Sequence, residues 1–204
     1  MSGGPARLVL ASRNDAKLIE LRRVLSGVGL DIELVGLPAG DEVAETGATF
    51  AENALIKARD AVATTGLTAV ADDSGLAVDA LNGMPGVLSA RWSGVSGSRP
   101  DRDAANNALL LAQLRDIPDD RRGAAFVCAA AVVTPSGVER VVTGEMRGRL
   151  LRHGQGSNGF GYDPLFLPDG ETVTSAQLSA EQKDAISHRG RAFRALAQIL
   201  PTLL

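Results

Sequence analysis

Three lysines stand out in this 204-residue chain because arginine is its usual cation. Only Lys17, Lys57 and Lys183 occur among 21 Lys and Arg residues. A compact ammonium suits a crowded phosphate site into which a planar guanidinium does not fit. Each of the three also lies in a polar motif, which favours a functional reason for its retention over the alternative, a compositional bias toward arginine.

The segment around Lys17 has the pattern of a strand, a loop and a helix. An apolar run at residues 8–11 is followed by polar residues and then by Leu18, Leu21 and Leu25 at helical spacing. Unpaired N–H groups at the start of such a helix attract anions, although Asn14 or Asp15 acting only as a helix cap is the alternative. The predicted phosphate-binding loop consists of Ser12, Arg13, Asn14, Asp15, Ala16 and Lys17.

Two adjacent carboxylates, Asp72 and Asp73, follow the apolar run 67–71, which predicts a strand that ends before them. Sites in α/β sheets usually lie where strands end. Neighbouring strand residues point to opposite faces, so one carboxylate is expected in a cleft and the other at the turn. Glu45 and Glu52 are candidates to join them around a hard cation, for which oxygen ligands favour magnesium over zinc. Capping of a turn is the alternative.

Two further motifs could contact a ligand. Phe160 and Tyr162 lie in a glycine-rich loop before Pro164, where their rings could sandwich a nucleobase or, alternatively, plug the core. Ser187-His188-Arg189 could donate hydrogen bonds to a carbonyl or a phosphate. Alternatively, Ser187 caps the last helix.

The remaining pattern predicts an α/β fold with a mixed sheet in a single domain over residues 1–204. Capping residues predict one helix from Thr49 to Gly66 and another after Ser179. Other predicted elements are a helix over 100–115, an antiparallel hairpin of 124–133 and 138–146, and a strand at 165–167.

Composition excludes several classes of protein. A net charge of −3 and 3% aromatic residues argue against a polynucleotide binder. No apolar stretch approaches the ~18 residues that span a membrane, and the first residues lack the features of a secretion signal. We therefore expect a cytoplasmic protein, with no membrane partner and with Cys128 as a buried structural thiol.

Taken together, five motifs in this order closely resemble the Ham1/RdgB inosine triphosphate pyrophosphatase family. They are Ser12-x-Asn14-x-x-Lys17, residues 45–58, residues 71–76, residues 160–164, and Ser187-His188-Arg189. They cover almost the whole chain and include two of the lysines, while Lys183 precedes the last motif. Many relatives carry two acidic residues where this chain has Ala44-Glu45, which leaves Glu45 as the candidate of that pair.

The resemblance implies a fold and an activity. The implied fold is an elongated mixed β-sheet flanked by helices in two lobes around a central cleft. The implied activity is that of a cytosolic, Mg²⁺-dependent homodimer that hydrolyses ITP, dITP and XTP to the monophosphate and pyrophosphate, with purine nucleoside triphosphates as its partners.

The resemblance also implies roles for individual residues. Ser12, Asn14 and Lys17 would hold phosphate with help from Lys57. Glu45 and Asp73 would serve the metal, with Asp73 as general base and Ser74 in contact with substrate. The implied nucleoside site comprises Phe160, Gly161, Tyr162, Asp163, Lys183, His188 and Arg189.

Two other functions use the same residues. One is a regulatory module that binds a nucleotide without turnover, which would not need a base. The other is a phosphatase with Asp72 or Asp73 as covalent nucleophile. The identity of the first product distinguishes the three.

Overall fold

The computed structural model of the chain describes residues 6–12, 19, 21–23, 32–38, 40 and 43–204. Contacts group the chain into two compact units. The first unit comprises Met1–Asp73, Cys128–Gly144 and His188–Leu204, and the second comprises Ser74–Val127 and Glu145–Ser187. The single domain expected from the sequence stays a prediction.

The described part of the chain contains a six-stranded sheet with the order β2-β1-β3-β4-β5-β6. Its strands are β1 (Ala6–Leu10), β2 (Ile32–Gly36), β3 (Ala69–Val78), β4 (Gly123–Val133), β5 (Glu139–Leu150) and β6 (Phe166–Pro168). Strand β1 pairs in parallel with β2 and β3, whereas β5 and β6 are antiparallel. The predicted mixed sheet is confirmed.

The predicted hairpin is also confirmed. Thr134 N donates to Val138 O at 3.0 Å, and Leu150 N donates to Arg122 O at 2.9 Å. Both hydrogen bonds fit one antiparallel register between β4 and β5. Strand β5 ends four residues later than predicted.

Four helices with complete bounds lie in the described ranges. They are α1 (Phe50–Thr65), α2 (Arg99–Gln113), α3 (Ala180–Ile186) and α4 (His188–Ile199). Short 3₁₀ helices cover Asp79–Leu81, Gly86–Arg91, Asp119–Arg121 and Leu200–Thr202. In the helix predicted after residue 17, residue 19 and residues 21–23 are helical, while residues 13–18 lie outside the described residues.

Local chemistry explains the bounds of α1 and α3. Thr49 Oγ1 accepts from Glu52 N at the start of α1, and Gly66 ends the helix with a φ of 68°, which glycine adopts without strain. Ser179 and Gln182 form the predicted capping box of α3. The final segment is two helices because Ser187, with ψ of 151°, interrupts it.

In the first unit, apolar residues pack on both faces of the strands. Leu8 and Leu10 of β1 pack in one cluster with Phe193 and Leu196 of α4. The alternate β1 residue Val9 belongs to a second cluster, which contains Ala54, Ala58 and Ala61 of α1. A β1 strand buried on both faces is typical of parallel strands covered by helices.

In the second unit, one cluster joins strands to α2 and to the loop before β6. It contains Leu76, Val78, Leu110, Leu114, Ala124, Phe126, Met146, Leu150, Tyr162, Leu165 and Phe166. Arg122 is buried beside this core and donates to the backbone oxygens of Leu114, Leu150 and Leu151. Within the described residues, no helix is both long and apolar enough to cross a membrane.

One predicted boundary is wrong. The strand expected to end before Asp72 continues through Asp73, Ser74 and Gly75 to Val78. Gly75 permits a close approach, since a Cβ there would contact Ser89, whose Oγ instead accepts from Leu76 N at 2.9 Å. Both carboxylates are therefore fixed by strand geometry rather than by a turn.

Candidate active site

Asp73 lies on β3 beside the first turns of α1. Asn53 Nδ2 donates to one carboxylate oxygen of Asp73 at 3.0 Å, and Lys57 Nζ donates to the other at 3.3 Å. Asn53 and Lys57 are four residues apart, so both lie on one face of the helix. The two donors hold both carboxylate oxygens of Asp73, whose side chain is only 12% exposed.

Lys57 also binds Glu45, in the loop before α1. Its Nζ lies 2.7 Å from Glu45 Oε1. The loop is held to the helix because Gly47 N donates to Asn53 Oδ1 at 2.8 Å. A Cβ on Gly47 would lie 2.6 Å from Glu52 Cβ, so glycine permits this approach. Asn53 thus connects Asp73 to the loop that carries Glu45.

Burial and charge oppose each other in this cluster. Burial raises the pKa of Asp73, Lys57 lowers it and the charge of Glu45 raises it, with a net increase. Burial disfavours the ammonium of Lys57, but Asp73 and Glu45 outweigh it, so the pKa of Lys57 is also raised. Asp73 is thus a carboxylate with increased basicity beside a fully protonated lysine.

Asp72 has a different partner. Arg189 Nε at the start of α4 donates to Asp72 Oδ2 at 3.2 Å, and the two side chains are 7% and 0% exposed. Asp72 and Asp73 therefore contact different elements, but neither lies at the turn that was predicted for one of them, because β3 continues through both. Asp72 braces α4, 117 residues away in sequence.

Replacing Asp72 by Asn is expected to destabilise the fold, because it leaves the buried Arg189 guanidinium without an ionised partner at this contact. The expected loss is about 3 kcal/mol in the free energy of unfolding, or roughly 6–12 °C in Tm for a chain of this size. Thermal unfolding measures it.

The matched control is Asp119→Asn, which removes a carboxylate from an exposed pair with Arg152. That change is expected to leave Tm nearly unaltered, because exposed ion pairs contribute little. Equal stability of the two variants would contradict the role of Asp72.

In the second unit, the loop around Phe160 turns tightly. Gly159 and Gly161 have φ of 73° and 62°. Asp163 Oδ2 accepts from Phe160 N at 2.8 Å and also pairs closely with Lys183 Nζ. Phe160 is 38% exposed, and Lys183 Nζ lies 5.3 Å from its ring centroid. The loop therefore presents one aromatic ring beside a cation.

Tyr162 has a structural environment. It is 4% exposed and its hydroxyl donates to Ser89 O at 2.9 Å. Burial, together with the charge of Asp103, raises the pKa of Tyr162, so the hydroxyl stays a donor at neutral pH. Of the two rings in the motif, Tyr162 packs in the core and Phe160 is the exposed one.

The other predicted residues are placed as follows. Ser12 is half-buried two residues beyond β1, and its backbone N donates to Leu10 O at 2.8 Å. Ser74 is half-buried immediately after Asp73, while His188 is buried at the start of α4. Arg13, Asn14, Asp15, Ala16 and Lys17 lie outside the described residues.

Sequence reasoning missed four side chains that contact these residues. Asn53 holds Asp73, and its spacing of four from Lys57 was the available signal. Arg99, Asp103 and Asn107 of α2 contact Phe160 or Gly161, and their own spacing of four marks one helix face.

The oxygen donors of Glu45 and Asp73 fit a hard divalent cation. Both carboxylates contact one ammonium, so together with Lys57 they carry one excess negative charge. Within the described part of the chain, no group of three or more His, Cys, Asp or Glu side chains is arranged to hold a metal.

Comparison with known proteins identifies the class to which this fold and site belong. The profile of the Ham1 family matches residues 8–199, and the chain belongs to this family, as the motifs predicted. Its sequence is 70% identical over 199 residues to the dITP/XTP pyrophosphatase of Frankia alni, covering 97% of this chain and 98% of that relative.

Solved structures agree in fold. The nucleoside-triphosphatase / dITP/XTP pyrophosphatase of Mycobacterium abscessus has a TM-score of 0.76 at 61% identity, covering 93% of this chain and 98% of its own. A HAM1 protein of Coxiella burnetii has a TM-score of 0.86 at 39% identity, covering 97% and 99%.

Proposed function

We propose that this protein hydrolyses the deaminated purine nucleoside triphosphates ITP, dITP and XTP to the monophosphate and pyrophosphate. The observation that carries the proposal is the buried carboxylate of Asp73, held by Asn53 and Lys57 beside Glu45. The substrate class is supported by relatives named dITP/XTP pyrophosphatase at 60–70% identity over nearly the whole chain.

Asp73 acts as the general base in this proposal. Its carboxylate takes a proton from the water that attacks the α-phosphorus, and the bond to the β-phosphate breaks with its electrons leaving on pyrophosphate. Asn53 and Lys57 fix the orientation of the carboxylate. Burial raises its pKa, which makes it a stronger base than an exposed aspartate.

Cations supply the main stabilisation of the transition state, because a tetra-anionic triphosphate repels an incoming nucleophile. Lys57 lies next to the base and neutralises charge on the phosphate oxygens. Lys17, with Ser12, Arg13, Asn14, Asp15 and Ala16, holds the phosphate chain through side chains and backbone N–H groups.

Magnesium is the cofactor in this proposal. Glu45 and Asp73 would hold it, and it would supply further neutralisation of the negative charge of the polyphosphate. The support is the hard oxygen donors of both residues and their excess negative charge.

The nucleoside is recognised by a separate set of residues. Phe160 stacks on the purine beside Lys183, and His188, Arg189 or backbone N–H groups donate to the 6-keto oxygen of the base. A site built to donate at that position leaves buried groups unpaired against the 6-amino group of adenine, and such mismatches give ~10⁴-fold rejection. Ser74, Gly161 and Asp163 complete the set, and Tyr162 supports the loop from the core.

A product assay tests the function. Purified protein with Mg²⁺ is expected to release pyrophosphate from ITP, dITP and XTP and far less from ATP and GTP. Orthophosphate as first product would instead support a phosphatase, and tight binding without product a regulatory module.

Lys17→Arg is expected to lower kcat/KM for dITP by at least about tenfold, because a planar guanidinium replaces a compact ammonium while the charge is kept. Steady-state kinetics of pyrophosphate release measures the change. An unchanged kcat/KM would show that phosphate binding does not require lysine at this position. Arg23→Lys, on the following helix, is the control and is expected to leave kcat/KM unchanged.

The same resemblance supports a homodimer located in the cytosol, acting on small nucleotides rather than polynucleotides. Sedimentation equilibrium at twice the chain mass is the expected result for the dimer.

A further inference from the structure

Three polar side chains of α2 form a stripe along one helix face. Arg99, Asp103 and Asn107 follow each other at intervals of four residues, which places them in a row. All three reach the loop that carries Phe160. We refer to these three residues as the α2 stripe.

The α2 stripe holds both backbone polar groups of Gly161. Asp103 Oδ2 accepts from Gly161 N at 2.8 Å, and Asn107 Nδ2 donates to Gly161 O at 2.9 Å. Gly161 has a φ of 62°, so the chain turns sharply at this residue. The two hydrogen bonds from α2 fix the conformation of that turn. The orientation of Phe160, the preceding residue, depends on that turn.

The third member of the stripe contacts the ring itself. Arg99 Cζ lies 4.1 Å from the centroid of Phe160, the geometry of a cation–π contact. Phe160 keeps 38% of its surface exposed, so core packing alone does not immobilise it. The guanidinium covers part of the ring and restricts where a second planar group can stack.

We propose that the α2 stripe is a positioning element that places Phe160 for stacking on the purine base, and so contributes to base discrimination rather than to the chemical step. The inference rests on the proposed function for the identity of the base. Asp103 and Asn107 set the backbone at Gly161, and Arg99 sets the ring.

Kinetics of Asp103→Ala tests the positioning role. We expect KM for dITP to rise by about tenfold, because the energy of one hydrogen bond to a charged acceptor no longer holds Phe160 in its stacking position, while kcat changes by less than about threefold. The preference for dITP over dATP in kcat/KM is expected to fall. Asp103→Asn keeps an acceptor for Gly161 N and is expected to recover most of the KM and the preference.

Arg102→Ala is the matched control, since Arg102 is an exposed arginine of the same helix and does not belong to the α2 stripe. It is expected to leave KM and kcat unchanged. Arg99→Ala is expected to raise KM, and Arg99→Lys to restore part of it because a cation remains over the ring.

Amide hydrogen exchange at Gly161 gives a readout that does not need turnover. Asp103→Ala is expected to accelerate this exchange at least about tenfold, because the N–H loses its acceptor. Unchanged exchange, or a Tm loss with KM and base preference unaltered, would overturn the inference. If the wild-type protein releases no pyrophosphate from dITP, the proposed function fails, and the stripe is judged by the exchange at Gly161 alone.

Discussion

Asp73→Asn is expected to lower kcat for dITP by about 10³-fold, because the substitution removes the general base and keeps its shape. The amide has one acceptor oxygen, so it can keep the hydrogen bond from Asn53 or the one from Lys57, but not both. Pyrophosphate release under saturating substrate measures the loss. A variant with near-normal kcat would remove Asp73 from the mechanism.

The same substitution is expected to raise Tm. The pKa of Asp73 is raised in the folded protein by burial, with the attraction of Lys57 already included. For an acid whose folded pKa is raised, the folded state prefers the protonated form, so the ionised carboxylate lowers stability at any pH above that pKa. A neutral amide removes this penalty, as is common where a site sacrifices stability for activity.

Two controls separate these effects. Asp60→Asn, on the exposed side of α1, is expected to change neither kcat nor Tm. Asp72→Asn is expected to lower Tm, opposite in sign to Asp73→Asn although the two residues are adjacent. Parallel changes in Tm at positions 72 and 73 would contradict the division of roles.

Lys57→Met is the second substitution with a large expected effect. It removes the cation that contacts both Glu45 and Asp73, and kcat/KM for dITP is expected to fall by about 10²–10³-fold. Lys57 lowers the pKa of Asp73, so its loss raises that pKa further. The acidic limb of the pH profile of kcat/KM, where activity falls as Asp73 is protonated, is expected to move to higher pH.

Stability is expected to fall in the same variant. The pKa of Lys57 is raised above 10.5, so its stabilising contribution is complete below that value and is lost as pH rises through the folded pKa. The difference in Tm between wild type and Lys57→Met is therefore expected at neutral pH and should shrink in strongly alkaline solution.

Lys57→Arg is the matched control, because it keeps the charge and changes its shape. Its Tm is expected to lie closer to that of the wild type than to that of Lys57→Met. The acidic limb is expected to stay near its wild-type position, while kcat/KM is reduced. An acidic limb that stays in place in Lys57→Met would exclude electrostatic control of Asp73 by this lysine.

Much of the fold was determined locally and could be predicted from sequence. Thr49 and Gly66 set the ends of α1, and Ser179 with Gln182 starts α3, because capping satisfies backbone groups within a few residues. The hairpin followed from its Thr134–Gly137 turn. The order of the polar motifs was sufficient to predict the family.

The tertiary structure decided which partner each polar side chain has. Strand β3 continues past Asp72 because it lies between β1 and β4, which provide hydrogen-bond partners for its backbone. The residues of β3 itself do not indicate which strands lie beside it. Asp72 meets Arg189, Asp73 meets Asn53 and Lys57, and Gly161 meets Asp103, at separations of 16 to 117 residues.

The physical reason is the range of the interactions. Caps, turns and helical periodicity act over one or two turns of chain, so the sequence alone determined them. Burial, pKa shifts and long-range hydrogen bonds depend on which elements pack together. The sequence therefore determined which residues can carry out the chemistry, and packing decided that Asp73 is the basic carboxylate, Asp72 a brace and Phe160 the exposed ring.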